Sequence, residues 1–409
     1  MPAVEIEEGI FCLQTDVWTE DLFEGFWPIP DGVAINAYLV KGGDKVALVD
    51  LAREWGGNSS ADFLRMVEAA GVSPRDVDYL VMNHLEPDHS GLARTMRQLA
   101  PNLEIYATKL GVRLVEAFFG ISDGVHEVKT GDALDLGGGR EFTFVQVPNV
   151  HWPDSMVTYE KQTKILFSSD AFGSFGALRG NLFDVDVPAD QRAFYERETL
   201  RYYANIVASF SPYVLKAVDA LAGVDLSMIA PAHGMLWKEP GEVVERYVRY
   251  AHYADGRNAK PKITIIYGSM YGNTQMLMNH LVRGINREGV EVEVFKMPNH
   301  DISYALASAW ESAGLAVGMP TYERGGYPPV CYALDVLALK HVRKRKVLGF
   351  GSYGWSKGAK REFEERSKDN EWEVLDWLEF NGAPTSEDQR RAEDAGARFA
   401  REVKEFTKK

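Results

Sequence analysis

The sequence predicts an α/β protein of two domains, on three observations. Its 409 residues are more than one hydrophobic core usually serves, so two domains, or at most three, are expected. Short apolar runs that read as buried strands alternate with stretches patterned as amphipathic helices along the whole chain. Near residue 256 the pattern breaks: residues 253–262 are polar and hold Gly256 and Pro261, the composition of a linker. The division is therefore placed at 1–255 and 262–409, with 256–261 between them.

In order, residues 9–13 and 34–40 are rich in β-branched and aromatic side chains and read as strands. Gly42-Gly43-Asp44 turns into residues 45–50, the partner of a hairpin. A helix is expected over 60–70, with Phe63, Leu64 and Val67 on one stripe and Gly71 at its end. The run Tyr79-Leu80-Val81-Met82 is a strand, followed by Asn83-His84-Leu85-Glu86-Pro87-Asp88-His89-Ser90-Gly91. Pro87 stiffens this loop, and Ser90 is placed to cap a helix starting near Gly91. Helix 92–99, strand 104–107 and helix 110–119 follow. Strands return at 142–147 and 165–169, then a long helical region spans about 189–221, and strand 226–232 ends at His233.

Composition excludes several classes. A net charge of −14 disfavours a grip on a nucleic-acid backbone. The basic run 340–346 reads instead as a solvated helix C-terminus that suits the macrodipole. No apolar run reaches the roughly 18–20 residues that cross a bilayer, and the acidic first residues lack the features of a signal peptide. Two cysteines, Cys12 and Cys331, point to a reducing cytoplasm and exclude a disulfide framework or a four-thiolate iron centre within these residues.

Chemistry gathers where strands stop. His84, Glu86, Asp88 and His89 follow the strand at 79–82; His151 follows the strand at 142–147; Asp170 ends the strand at 165–169, and His233 the strand at 226–232. A lone histidine there is most often structural, and a lone aspartate is usually a helix cap. A four-ligand loop with three more strand-end ligands is a metal-site pattern.

The order His84-x-Glu86-x-Asp88-His89, then His151, Asp170 and His233, resembles the metallo-β-lactamase superfamily. That resemblance implies an αββα sandwich of two mixed sheets. One position departs: Glu86 stands where the hydrolases carry a histidine. A carboxylate there makes the site harder and more anionic, favouring iron or manganese over zinc. On this point the chain resembles the flavodiiron proteins. By that resemblance His84, Glu86 and His151 bind one iron, Asp88, His89 and His233 the other, and Asp170 bridges them. Because the position of His89 is swung away from the metal in some members, its ligation stays open. Trp152 is expected to pack over the site.

In the second domain, strand 263–267 leads through Gly268-Ser269-Met270-Tyr271-Gly272-Asn273-Thr274 into a helix over 275–287. Backbone N–H groups, the helix dipole and the hydroxyls of Ser269 and Thr274 make a phosphate cradle. It is neither a Walker loop nor a dinucleotide loop, and it is similar to the flavodoxin fingerprint for FMN, on a doubly wound parallel sheet. Two later strand ends, at Met319-Pro320-Thr321-Tyr322 and at Ser352-Tyr353-Gly354-Trp355, match the loops that enclose a flavin ring. Tyr322, Tyr353 and Trp355 are the expected ring neighbours, and helices over 329–339 and 386–404 complete the five-stranded pattern.

A di-iron site and FMN on one chain imply delivery of electrons to a small molecule. FMN and two ferrous ions supply four electrons, enough for O2 to water; two suffice to couple NO into nitrous oxide. An oxygen or nitric oxide reductase is expected, fed by a separate donor: a rubredoxin, a reduced deazaflavin or a nicotinamide-linked reductase. The resemblance implies a head-to-tail homodimer or dimer of dimers, without nucleic acid or membrane. Two other readings stay open: a metal-dependent hydrolase with a regulatory flavodoxin domain, and an electron carrier with a degenerate first domain.

Overall fold

The computed structural model describes residues 3–18, 20–53 and 59–408. The chain forms two compact units, Met1–Tyr203 with Pro212–Val248, and Ala204–Ser211 with Arg249–Lys409.

The first unit contains two mixed sheets. Seven strands run in the spatial order Val4–Glu7, Ile10–Val17, Val33–Lys41, Val46–Val49, Tyr79–Val81, Glu104–Ala107 and Val125–Glu127. The first three neighbouring pairs are antiparallel and the last three parallel. Five strands form the second sheet: Ala133–Asp135, Glu141–Gln146, Met156–Glu160, Ile165–Ser169 and Met228–Pro231, with only the final pair parallel. The expected hairpin is present, Tyr38 facing Val49 across it.

Alternation along each strand builds the layers. Cys12, Tyr38, Val40, Val49 and Val81 of the first sheet meet Phe142, Phe144, Met156, Phe167 and Ala230 of the second in one buried cluster. On the first sheet's other face Leu13, Leu39, Leu48 and Leu80 pack against Phe63, Val67, Met96 and Val115, from helices Ser59–Ala69, Ala93–Leu99 and Lys109–Phe119. Helix Ser211–Ala220 lines the outer face of the second sheet through Val214, opposite Val157. The result is the expected αββα sandwich.

One local expectation fails. Ser90 caps nothing: Pro87–Ser90 is itself a single helical turn, and the Ser90 hydroxyl turns inward to donate to Leu85 O and Glu86 O. The helical region expected over 189–221 is present, in pieces. It runs as helix Arg192–Tyr202, a π turn over Tyr203–Val207, a 3-10 turn over Ala208–Phe210 and helix Ser211–Ala220. Pro212, lacking an N–H, sits in the first turn of the last piece and cannot continue a ladder from upstream.

The second unit holds a five-stranded parallel sheet in the order Glu291–Lys296, Lys260–Tyr267, Ser312–Gly318, Lys346–Tyr353, Glu373–Asn381. Numbered along the chain this is 2-1-3-4-5, the doubly wound order whose switch point lies between the first and third strands. Helices Asn273–Arg287 and Ser386–Phe406 interlock through glycines. A Cβ on Gly284 would lie 2.0 Å from Glu393 O, and one on Gly396 2.3 Å from Leu281 O. The basic run departs from its expected solvation at Arg345. That side chain is buried, and its guanidinium donates to Tyr253 O and Trp310 O at 2.7 and 2.8 Å. Carbonyls left over at element ends take up the charged donor.

Candidate functional site

The strand ends of the first unit place all seven candidate ligands together. Four donors, from His84, Glu86, His151 and Asp170, form one set, and Asp88, His89 and His233 form another. Glu86 Oε2 lies 3.2 Å from His84 Nε2 and 3.1 Å from His151 Nε2. Asp170 Oδ2 lies 3.3 Å from His84 Nε2 and 3.4 Å from His151 Nε2. Its other oxygen, Oδ1, faces the second set: His89 Nε2 at 3.0 Å and His233 Nε2 at 3.3 Å. Asp88 approaches His233 Nε2 at 3.3 Å and His89 Nε2 at 3.5 Å. One carboxylate thus divides its two oxygens between two groups of donors.

This environment suits metal ions. His89 Nε2 and His233 Nε2 stand 3.2 Å apart, and His233 turns its other nitrogen to Ala34 O at 3.2 Å. With that nitrogen donating, the Nε2 lone pair points into the cluster. Buried polar atoms without a hydrogen-bond partner here include His89 Nδ1, Asp88 Oδ1 and Asp170 Oδ2. Donor separations of 3.0–3.5 Å suit metal–ligand bonds of about 2.1 Å, which place adjacent ligands roughly 3 Å apart. A carboxylate-rich set with imidazoles fits iron or manganese.

Charge balance supports the same conclusion. Burial alone would push the imidazoles down, yet the surrounding carboxylates outweigh it. Asp154, Glu86 and Asp170 hold His84 up at about 10, and Asp170 and Asp88 hold His233 at about 10. Against the same burial, His89 and His151 are held at about 9 by Asp88, Asp170 and Glu86. Burial would raise Glu86 and Asp170, but the histidines bring both well below the usual carboxylate range.

The loops are clamped by residues that the sequence reading passed over. Asp154 Oδ2 accepts from Leu85 N at 2.9 Å while Oδ1 stands 3.4 Å from His84 Nδ1, so one carboxylate orients both the loop and its first imidazole. Tyr202 Oη donates to Asp170 Oδ1 at 3.0 Å. Asp50 accepts from Asn83 N at 2.8 Å, and Asn83 Oδ1 accepts from Thr158 Oγ at 2.7 Å. Burial raises Asp50 to about 6 despite His89 and the Asn83 amide. Asp50 had a sequence signal, since it too ends an apolar strand. Tyr202, inside a helix, had none. Trp152 packs its ring edge-on to His84 at 4.9 Å, and Phe23 does the same to His233 at 5.2 Å.

The second unit brings its three loops to one sheet edge. Helix Asn273–Arg287 starts at Gly272, with φ 94° and no side-chain cap, leaving its first N–H groups for an anion. Thr274 is buried and its hydroxyl meets Ser352 Oγ at 3.1 Å, joining the first loop to the third. Ser269 Oγ accepts from Gly272 N at 3.1 Å, which leaves its own hydrogen for a ligand. Pro320 is buried; Thr321 Oγ accepts from Ala359 N at 3.3 Å. Tyr271 and Trp355 are 90% and 89% exposed, and Tyr322 and Met270 are also exposed. Flat apolar faces beside an uncapped helix N-terminus fit a flavin phosphate and ring. Tyr353 differs from its companions, because Lys357 Nζ already lies 4.8 Å over its ring.

Comparison with known proteins matches two separate stretches of the chain. A family model described as ODP family beta lactamase matches residues 33–234, and one described as flavodoxin matches residues 265–396. The chain is 32% identical over 408 residues to the anaerobic nitric oxide reductase flavorubredoxin of Aeromonas hydrophila, an alignment covering 98% of this chain and 80% of that protein. It is also 32% identical over 412 residues to the nitric oxide reductase of Moorella thermoacetica, with 98% of each covered. Among solved structures, rubredoxin oxygen:oxidoreductase from the anaerobe Desulfovibrio gigas superposes with a TM-score of 0.91 at 28% identity over 99% of both chains.

Proposed function

The chain belongs to the flavodiiron proteins, and from that membership we propose that it reduces O2 to water, NO to nitrous oxide, or both. FMN and two iron ions are its cofactors. His84, Glu86 and His151 are assigned to one iron, Asp88, His89 and His233 to the other, and Asp170 to both. The observation that carries this reading is the Asp170 carboxylate, whose two oxygens face the two donor sets at 3.0–3.4 Å. When bound, the metals supply open coordination positions for a diatomic ligand, and FMN supplies electrons.

The chain's own residues do the rest. Asp154 and the Ala34 carbonyl orient His84 and His233. Tyr202 holds a proton on Oη against Asp170 Oδ1. Trp152 and Phe23 wall the histidines with apolar rings, limiting water at the site. Ser269, Met270, Tyr271, Gly272, Asn273 and Thr274 are assigned to the flavin phosphate side. Pro320, Thr321, Tyr322, Ser352, Tyr353, Gly354 and Trp355 are assigned to the ring. The domains are proposed as 1–255 and 262–409.

Among the described residues no helix is long and apolar enough to cross a membrane, and both cysteines are buried and free. A cytoplasmic location, a separate donor such as a rubredoxin, and a head-to-tail homodimer belong to the same proposal. The hydrolase reading is not favoured, because Glu86 replaces an imidazole in the metal set. Anaerobically reduced protein, exposed separately to O2 and to NO, is expected to consume at least one catalytically with iron bound. Two zincs and no iron in an active preparation would overturn the reading, as would failure to consume either gas.

A further inference from the structure

A cleft in the first unit lies between helix Ser211–Ala220 and the second sheet. Its outer part is formed by the half-buried Ala217, Val218 and Leu221, and its inner part by the buried Val150, Ala171 and Phe172. Val150 precedes His151 and Ala171 follows Asp170 in the chain. The inner lining thus includes the chain neighbours of two candidate ligands, one of which faces both donor sets. The lining is aliphatic or phenyl except for Tyr247, whose hydroxyl donates to Gly173 O at 2.8 Å. Its free space, open mouth included, is about 300 Å³, and its enclosed part is narrow, about the room one water needs.

Water gains nothing in such a space, since it needs two to four polar partners there. An uncharged diatomic gas has no strong hydrogen bonds to lose and enters freely. The gas-reductase reading supplies the substrate, and on that reading we propose that this cleft is the access route and holding site for the apolar diatomic gas. Val214, buried on the helix opposite Val157, then sets the bore, and Ala217 sets the mouth.

Xenon, an apolar atom of similar size, is the probe. Pressurised crystals, or xenon NMR in solution, of the protein as isolated are expected to show xenon beside Val150, Ala171 and Val214. Ala217→Phe should plug the mouth, and Val214→Thr should make the bore polar at nearly constant volume. Each should weaken xenon binding at least several-fold. In the metal-loaded protein each should raise KM for the gas by a similar factor, with kcat at saturating gas and metal content unchanged. Absence of xenon from the cleft would overturn the proposal, as would xenon binding with KM unmoved in both variants. If Ala217→Phe fails to fold, Val214→Thr decides alone. A wild-type protein that consumes neither gas would sink the functional reading instead, whatever xenon does.

Discussion

At the scale of the residue, Asp170 has the most to lose. Its two oxygens serve separate donor sets, so Asp170→Ala is expected to drop iron from about two per chain to one or fewer. Gas consumption should fall by at least two orders of magnitude, with FMN still bound. Elemental analysis and the flavin absorbance check this; undiminished turnover would point to an electron carrier. Asp154 touches no candidate metal position directly, and a partner of that kind typically costs 10–100-fold in metal affinity or activity when removed. Asp154→Ala should weaken iron binding in that range, and Asp154→Asn should recover part of it by keeping the bond from Leu85 N. The four imidazoles also set a sign for pH. Without metal they are raised from 6.5 to about 9 or 10, so at neutral pH each carries a proton that a metal must displace. Anaerobic titration of metal-free protein with ferrous iron at pH 7 should therefore release protons, and affinity should fall as pH is lowered. Because the folded pKa values are raised, the same groups stabilise the metal-free protein fully below about pH 6.5. That stabilisation is lost as pH rises through the folded values. No proton release would refute the assignment.

At the scale of the element, stiffness near the candidate metals comes from loops rather than long helices. The Pro87–Ser90 turn is pinned by Ser90 to Leu85 O and Glu86 O, and by Asp154 to Leu85 N. The π turn over Tyr203–Val207 follows directly on Tyr202, the helix position whose hydroxyl reaches Asp170. Single π turns in helices often mark functional sites. In the second unit the closest helix pair depends on bare backbone at Gly284. Gly284→Ala would drive a methyl into Glu393 O, an overpacking that costs about 1–3 kcal/mol. Its gain in helix propensity, at most about 1 kcal/mol, does not offset this. Denaturant unfolding followed by flavin fluorescence should show an earlier release of FMN, with iron content unchanged.

At the scale of the whole molecule, each unit has its own sheets and core. Removal of iron by a chelator is therefore expected to abolish gas reduction while leaving the flavin spectrum and its reducibility intact. Loss of FMN together with the iron would show that the units do not hold their cofactors separately.

The sequence by itself determined the fold class and the candidate ligand types, because these follow from short-range patterns. An apolar run that stops at His84, Asp170 or His233 is visible within ten residues, and so is the glycine and hydroxyl loop that leads into the helix after strand 263–267. It also carried Glu86, the position that turns the reading from hydrolysis to redox chemistry. Tertiary structure alone decided what depends on residues far apart in the chain. Asp170 shows its division between two donor sets only when His84, His89, His151 and His233 are brought around it. Asp154 reaches Leu85 across 69 positions, and Tyr202 reaches Asp170 from inside a helix. Arg345 misled for the same reason: local rules place it in solvent, but the distant Tyr253 O and Trp310 O and the burial of its surroundings set where its hydrogen bonds go. Ser90 instead turns to carbonyls four and five residues back.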